Sequence, residues 1–212
     1  MLLRNDRARP IADIAPGPLV TLLVDLSCDK TIALIEQSAR RGLPVFVGVD
    51  GRSGAGKSTF AAALAAASRA RLIEGDAFYA GGLELRSDTA EQRAQACINR
   101  LRLRRVLKDL KSGRATTFRS FDWEAFDGSL SDRTITVEPG KIVIVEGVYS
   151  CHPDFADLLD IRILLNAADP LRQQRLLQRE GAIGPWERQW HEAEDWYFAN
   201  LALEDHFDLV IA

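Results

Sequence analysis

Residues 51 to 58 read Gly51-Arg52-Ser53-Gly54-Ala55-Gly56-Lys57-Ser58, an uninterrupted G-x-x-x-x-G-K-[ST] string. Before it lies the apolar run Val45-Phe46-Val47-Gly48-Val49, and after it the Ala-rich stretch Phe60 to Ala67. The first has the composition of a buried strand and the second that of a strong helix former. Strand, glycine-rich loop and helix in that order make a phosphate cradle. The glycines let the backbone turn several N–H groups inward, and the helix adds the positive end of its dipole to the same pocket. The expected nucleotide contacts are Gly51, Ser53, Gly54, Ala55, Gly56, Lys57, Ser58 and Thr59. Lys57 would reach the β- and γ-phosphates as a point charge, and the Ser58 hydroxyl would face Mg²⁺.

Composition narrows the partners. The chain has 212 residues, enough for one domain or one domain with an appendage, and a formal net charge of −3, which gives no global attraction to nucleic acid or anionic membrane. Cys28, Cys97 and Cys151 are odd in number and show no C-x-x-C spacing, so they read as reduced thiols. His152, His191 and His206 lack zinc-ligand spacing. Pro10, Asp13, Pro16 and Pro18 interrupt any leader-like apolar run, and Leu19 to Val24 is too short to span a bilayer. The expectation is a cytoplasmic protein with a small-molecule partner, no nucleic acid and no membrane; oligomeric state stays open.

Residues 1–43 read as a helical flank, with Asp29 capping a helix through Ala39 that ends at Arg40-Arg41-Gly42. Residues 44–212 read as the main domain. Within it, Arg71 to Gly75 is a short strand, and Ser87 or Asp88 starts a long helix through Leu110. Its Arg100, Arg102, Arg104 and Arg105 suggest a solvated face around an apolar stripe. Ala115 to Trp123 is extended; Ile135 to Val137 and Ile142 to Val145, joined by Pro139-Gly140, form a strand pair. Ile161 to Leu165 is a buried strand, followed by helices from Asp169 to Glu180 and from Trp186 to about Leu203, then a last strand, Asp208 to Ile211. The pattern predicts an α/β fold, a mostly parallel five-stranded sheet with helices on both faces.

Asp76 and Glu146 each follow a buried strand, which places both on the sheet edge that carries the phosphate loop. Phosphoryl transfer to an alcohol needs a carboxylate to take the hydroxyl proton and oxygen ligands for Mg²⁺. Asp76 suits the first task; Glu146 and Ser58 suit the second, with Asp76 close enough to join them. Arg172, Arg175 and Arg179 recur at helical spacing on one face, the pattern of a short lid over a transferring phosphoryl group; pairing with local acids such as Glu180 and Glu187 is the plainer account. Trp186, Trp190, Trp196 and Tyr197 form either an apolar face on the core or a stacking surface for a planar substrate.

The string GRSGAGKST, then Asp76-Ala77-Phe78-Tyr79, then Glu146-Gly147, the Arg172 to Arg179 helix and the closing Asp208 to Ile211 strand resemble, in order, the uridine kinase and phosphoribulokinase branch of P-loop kinases. The resemblance spans residues 45–212. It implies the P-loop NTPase fold, ATP and Mg²⁺, with Asp76 as catalytic base, Tyr79 lining the acceptor pocket and Glu146 helping to hold the metal. Phe121, Asp122 and Trp123 match by position a later family segment that also lines the acceptor pocket. The sugar-gripping aspartate of uridine kinases has no clear counterpart here. The expected function is transfer of the ATP γ-phosphoryl group to a hydroxyl of a nucleoside-, sugar- or vitamin-like acceptor. The competing reading is an ATPase, switch or binding module without an acceptor. A guanine-reading N-K-x-D string is missing: Asn166-Ala167-Ala168-Asp169 lacks the lysine.

Overall fold

The computed structural model describes residues 18–39 and 42–212, with side chains from residue 27 onward. The segment before residue 18 and the Arg40-Arg41 helix end lie outside the described residues. Five parallel strands form the main sheet in the order β2-β5-β1-β6-β7. These are β1 (Val45–Asp50), β2 (Arg71–Glu74), β5 (Ile142–Glu146), β6 (Ile161–Leu165) and β7 (Leu209–Ile211). The central strands β1 and β5 are apolar on both faces, as helix-covered parallel strands must be.

Two apolar layers sandwich the sheet. On one face, α1 (Pro18–Ala39) and α2 (Lys57–Ser68) bring Cys28, Ile35, Phe60 and Leu64 onto Val47, Val49, Ile144 and Ile163. The other face packs Phe46, Val143 and Val145 against Leu103, Val106, Leu107 and Leu110 of α4 (Arg100–Lys111) and against Tyr197 of α6 (Pro185–Asn200). Between them in sequence run α3 (Ala90–Ala96) and α5 (Asp169–Glu180).

Three expectations change. Asp29 caps nothing, because α1 already begins at Pro18. The long helix after Asp88 is two helices. Residues 78–80 pair with 97–99 through Ala80 N–H to Cys97 O (2.8 Å) and Asn99 N–H to Phe78 O (2.8 Å), which pulls the backbone out of helical register. A capping box from Thr89 and Gln92 starts α3, and Asn99 Oδ1 restarts the chain as α4 by accepting from Arg102 N–H at 3.1 Å. Nor do Ile135–Val137 and Ile142–Val145 pair. The former belongs to β4 (Leu130–Val137), antiparallel to β3 (Thr116–Phe121) in a separate two-stranded ribbon. β4 leaves most of its residues exposed or half covered, with only Val137 buried, so it suits an open ribbon, whereas β5 needs cover on both faces. The arginines of α4 do lie at the surface around the buried stripe of Leu103, Val106, Leu107 and Leu110, each with a partner: Arg100 binds Asp154, Arg104 binds Asp157, and Arg102 and Arg105 donate to carbonyls of β3.

Candidate active site

The end of β1 anchors the phosphate loop. Asp50 is fully buried and accepts hydrogen bonds from Gly51 N–H (2.8 Å), Tyr149 N–H (3.1 Å), Cys151 N–H (2.9 Å) and the Tyr197 hydroxyl (2.8 Å). Burial pushes its pKa up to about 6, against the pull of these donors and of Lys57. Gly51 and Gly54 cannot carry a side chain. A Cβ on Gly51 would stand 2.3 Å from Leu165 O and one on Gly54 2.8 Å from Arg172 O, and both residues have positive φ. Lys57 opens α2 and turns its ammonium back onto Arg52 O at 3.1 Å, closing the loop on itself. Ser58 and Thr59 follow on the exposed side of that first turn.

Strand register delivers the acids. Glu146 ends β5 between Val49 of β1 and Glu74 of β2, and Asp76 follows Glu74 by two residues in a short 3-10 turn. Both Glu146 oxygens lie 3.3 Å from Ser58 Oγ. Burial raises the Glu146 pKa to about 7, with the Asp76 charge adding to the rise and Lys57 opposing it. Asp76 keeps a solvent-facing surface in the cleft although protein walls it on most sides; that enclosure raises its pKa, while Lys57 and Arg179 lower it. Two facing carboxylates whose charges penalise each other, with a hydroxyl beside them, form an all-oxygen donor set that fits Mg²⁺. Among the described residues no cluster of three or more His, Cys, Asp or Glu could hold a metal alone. A site completed by phosphate oxygens is the arrangement Mg²⁺ usually takes.

Beyond Asp76 the cleft wall is aromatic. The Tyr79 ring centroid lies 5.0 Å from Phe121, 5.0 Å from Trp123, 5.4 Å from Trp190 and 6.2 Å from Trp186. Trp123 Nε1 donates to the backbone carbonyl of Asp76 at 3.3 Å, tying this wall to the turn that carries the acid. Tyr79, Phe121 and Trp123 therefore meet as the sequence suggests. Asp122 does not turn into the wall: its Oδ1 accepts from Glu124 N–H and Ala125 N–H and shapes the ribbon turn. The tryptophan helix divides its labour. Trp186 and Trp190 join the cleft wall, while Tyr197 is core and Trp196 packs partly buried against it. Arg86, Arg93 and Gln189 line the same small pocket and escaped notice in sequence because each is separated from Tyr79 by a different loop or helix.

α5 crosses the loop. Arg172 Nε donates to Ser53 O at 2.9 Å and Arg175 Nη1 to Gly54 O at 3.0 Å, so two of the three arginines already grip the loop backbone. Arg172 also pairs with Asp169 (2.5 Å), and Arg179 pairs with its neighbour Glu180 (2.7 Å) while its charge is felt at Asp76. α6 grips the loop too: Arg52 pairs with Asp195, and Ser53 donates to Glu194 through N–H (2.8 Å) and hydroxyl. At the loop itself, Glu194 and Asp50 are the polar residues that the sequence did not single out. An aspartate closing an otherwise wholly apolar strand was the available signal for Asp50; Glu194 gave none.

Residues 46–183 match the model of the Phosphoribulokinase / Uridine kinase family. The chain is similar to the uridine kinase of Limosilactobacillus reuteri, 29% identical over 155 residues, 69% of this chain and 68% of that protein. It is 28% identical over 148 residues to that of Streptococcus uberis, 66% of this chain and 69% of that protein. Among solved structures, a possible uridine kinase from Bacillus stearothermophilus superposes with a TM-score of 0.68 at 18% identity, covering 92% of this chain and 100% of that one. The D-glycerate 3-kinase of Cryptococcus neoformans gives 0.60 at 14% identity, covering 88% and 89%. These two likenesses speak to the fold. With the family model spanning well over half of the chain and the phosphate loop, strand-end acids and five-stranded parallel sheet all in place, this chain belongs to the phosphoribulokinase and uridine kinase family and is an ATP-dependent phosphotransferase acting on a hydroxyl group.

Proposed function

We propose that the acceptor is a small alcohol of the nucleoside, sugar or vitamin type, held against the aromatic wall and phosphorylated by ATP seated in the loop from Gly51 to Thr59. The observation that carries this reading is the place of Asp76, between the phosphate loop on one side and Tyr79 and Trp123 on the other. Asp76 accepts the proton of the attacking hydroxyl, and the protein around it raises its pKa in the direction that favours a base. Lys57 and the loop N–H groups hold the phosphates, and Arg172, Arg175 and Arg179 close over them from α5. Ser58 and Glu146, with Asp76 beside them, would hold Mg²⁺, which when bound neutralises charge on the β- and γ-phosphate oxygens. Tyr79, Phe121 and Trp123 orient the acceptor and keep water from the hydroxyl. An acceptor-free ATPase or switch has no use for such a wall.

Because the relatives above are named uridine kinases, nucleosides are the first acceptors to try. We further assign residues 1–43 as a flank of a kinase domain formed by residues 44–212; the packing of α1 on α2 supports it. The test is an ADP-release screen with Mg-ATP against nucleosides, sugars and vitamin alcohols. Release that depends on one acceptor, and that Lys57→Ala abolishes, is the expected result. Release indifferent to every acceptor would replace this reading by the ATPase or switch.

A further inference from the structure

Glu194 is only 1% exposed, on the face of α6 that meets the phosphate loop. Its Oε2 accepts from Ser53 N–H at 2.8 Å, and its Oε1 accepts from both the Ser53 hydroxyl and Trp190 Nε1. These are donors of the kind a phosphate oxygen takes, an N–H and an O–H of the glycine-rich loop itself. A carboxylate already holds them. Its charge is felt at Asp76.

The third donor belongs to the acceptor wall. Trp190 stacks on Trp186 (6.0 Å) and packs on Tyr79 (5.4 Å) and Tyr149 (6.1 Å). Tyr79, Trp186 and Trp190, with Arg86, Arg93 and Gln189, line a partly open pocket beside that wall whose free volume is about 10 Å³, room for one water. An acceptor that seats between Tyr79 and Trp190 parts these rings. Trp190 is bonded to the carboxylate that holds Ser53, so parting the rings disturbs that carboxylate.

Resting on the kinase reading above, we propose that Glu194 is a positioning residue that couples the acceptor pocket to the triphosphate site. With the pocket shut, its carboxylate occupies the donors of Ser53 and repels the γ-phosphate. With the pocket opened by an acceptor, Trp190 shifts, the carboxylate leaves Ser53, and the loop accepts the third phosphate. ATP is thereby held in reactive register only when an alcohol is present to receive the phosphoryl group, and transfer to water is suppressed. The device acts on the triphosphate in particular, because a diphosphate brings no γ-phosphate to the Ser53 end.

Calorimetry with Mg-ADP and with the Mg-imidotriphosphate analogue of ATP, in the absence of any acceptor, tests this on the full chain. Glu194→Gln keeps the size of the side chain and removes the charge. It is expected to bind the triphosphate analogue roughly 5- to 150-fold more tightly than wild type, the usual range of coupling between two sites, with Mg-ADP changed by less than about twofold. Trp190→Phe keeps a ring and removes the indole N–H; a smaller gain confined to the triphosphate is expected there, and this variant stands in if Glu194→Gln does not fold. Equal shifts for the two nucleotides, or none, in the variant that folds would make Glu194 mere mortar between α6 and the loop and end the proposal. Wild type that binds neither nucleotide would instead overturn the kinase reading itself.

Discussion

Asp50 gathers four donors from three separated parts of the chain, Gly51, Tyr149 with Cys151, and Tyr197. It also holds Tyr149 at φ 71°, a left-handed conformation that costs a non-glycine residue about 1–3 kcal/mol. Since its folded pKa of about 6 exceeds the ordinary 3.8, the folded state keeps a proton that the unfolded state has already lost between those values. Stability from this group therefore falls as pH rises from about 4 to about 6. Asp50→Asn should remove that slope, yet it puts an NH₂ where donors converge and should destabilise by about 1–3 kcal/mol at neutral pH. Denaturant melts at pH 4.5 and pH 7 check both; a variant with the wild-type slope would locate the titration elsewhere. Asp76→Asn retains shape and cannot take a proton, so kcat should fall by about two to four powers of ten with little change in ATP affinity. Steady-state kinetics on the acceptor found by the screen decide it, and near-wild-type turnover would move the base role to Glu146. Lys57, Asp76 and Glu146 were legible because each stands at or just beyond a strand end, next to the glycine loop or a turn. Asp50 and Glu194 were not, because their meaning lies in partners roughly a hundred or more positions away.

At the scale of elements, α5 shows how far spacing alone carries. Its bounds, Asp169–Glu180, and the common face of its arginines follow from the sequence, but their hold on Ser53 O and Gly54 O does not. Such bonds make the helix a clamp on the loop backbone before any nucleotide arrives. Arg175→Ala should therefore lower kcat more than it weakens ADP binding, and loosen hydrogen exchange at the loop as well as in α5. Isotope exchange with and without Mg-ADP reads this out; full activity with unaltered protection would reduce Arg175 to a surface cation. The split of the long helix into α3 and α4 was unreadable for another reason. Cys97 to Asn99 are compatible with helix, and only pairing with Phe78 and Ala80 draws them away.

Across the whole molecule, the parallel sheet was legible because its central strands are apolar throughout, whereas the β3–β4 ribbon was hidden by a Pro139-Gly140 turn that joins one sheet to another. The ribbon meets the main body through side chains, among them the Phe118 and Phe78 rings at 4.8 Å. Its tip carries the exposed residues Glu124, Ala125 and Asp127, a natural target for a protease. Protein nicked there should bind Mg-ADP within about twofold of intact protein while losing at least about tenfold in turnover, since the cut loosens Trp123 and spares the loop. Limited digestion followed by calorimetry and kinetics checks the split, and parallel loss of both properties would contradict it. The ribbon shares no strand pairing with the five-stranded sheet. On the acceptor reading proposed above, one alcohol is exchanged for another by rewriting this appendage and the start of α6, with the phosphate loop and its sheet left untouched.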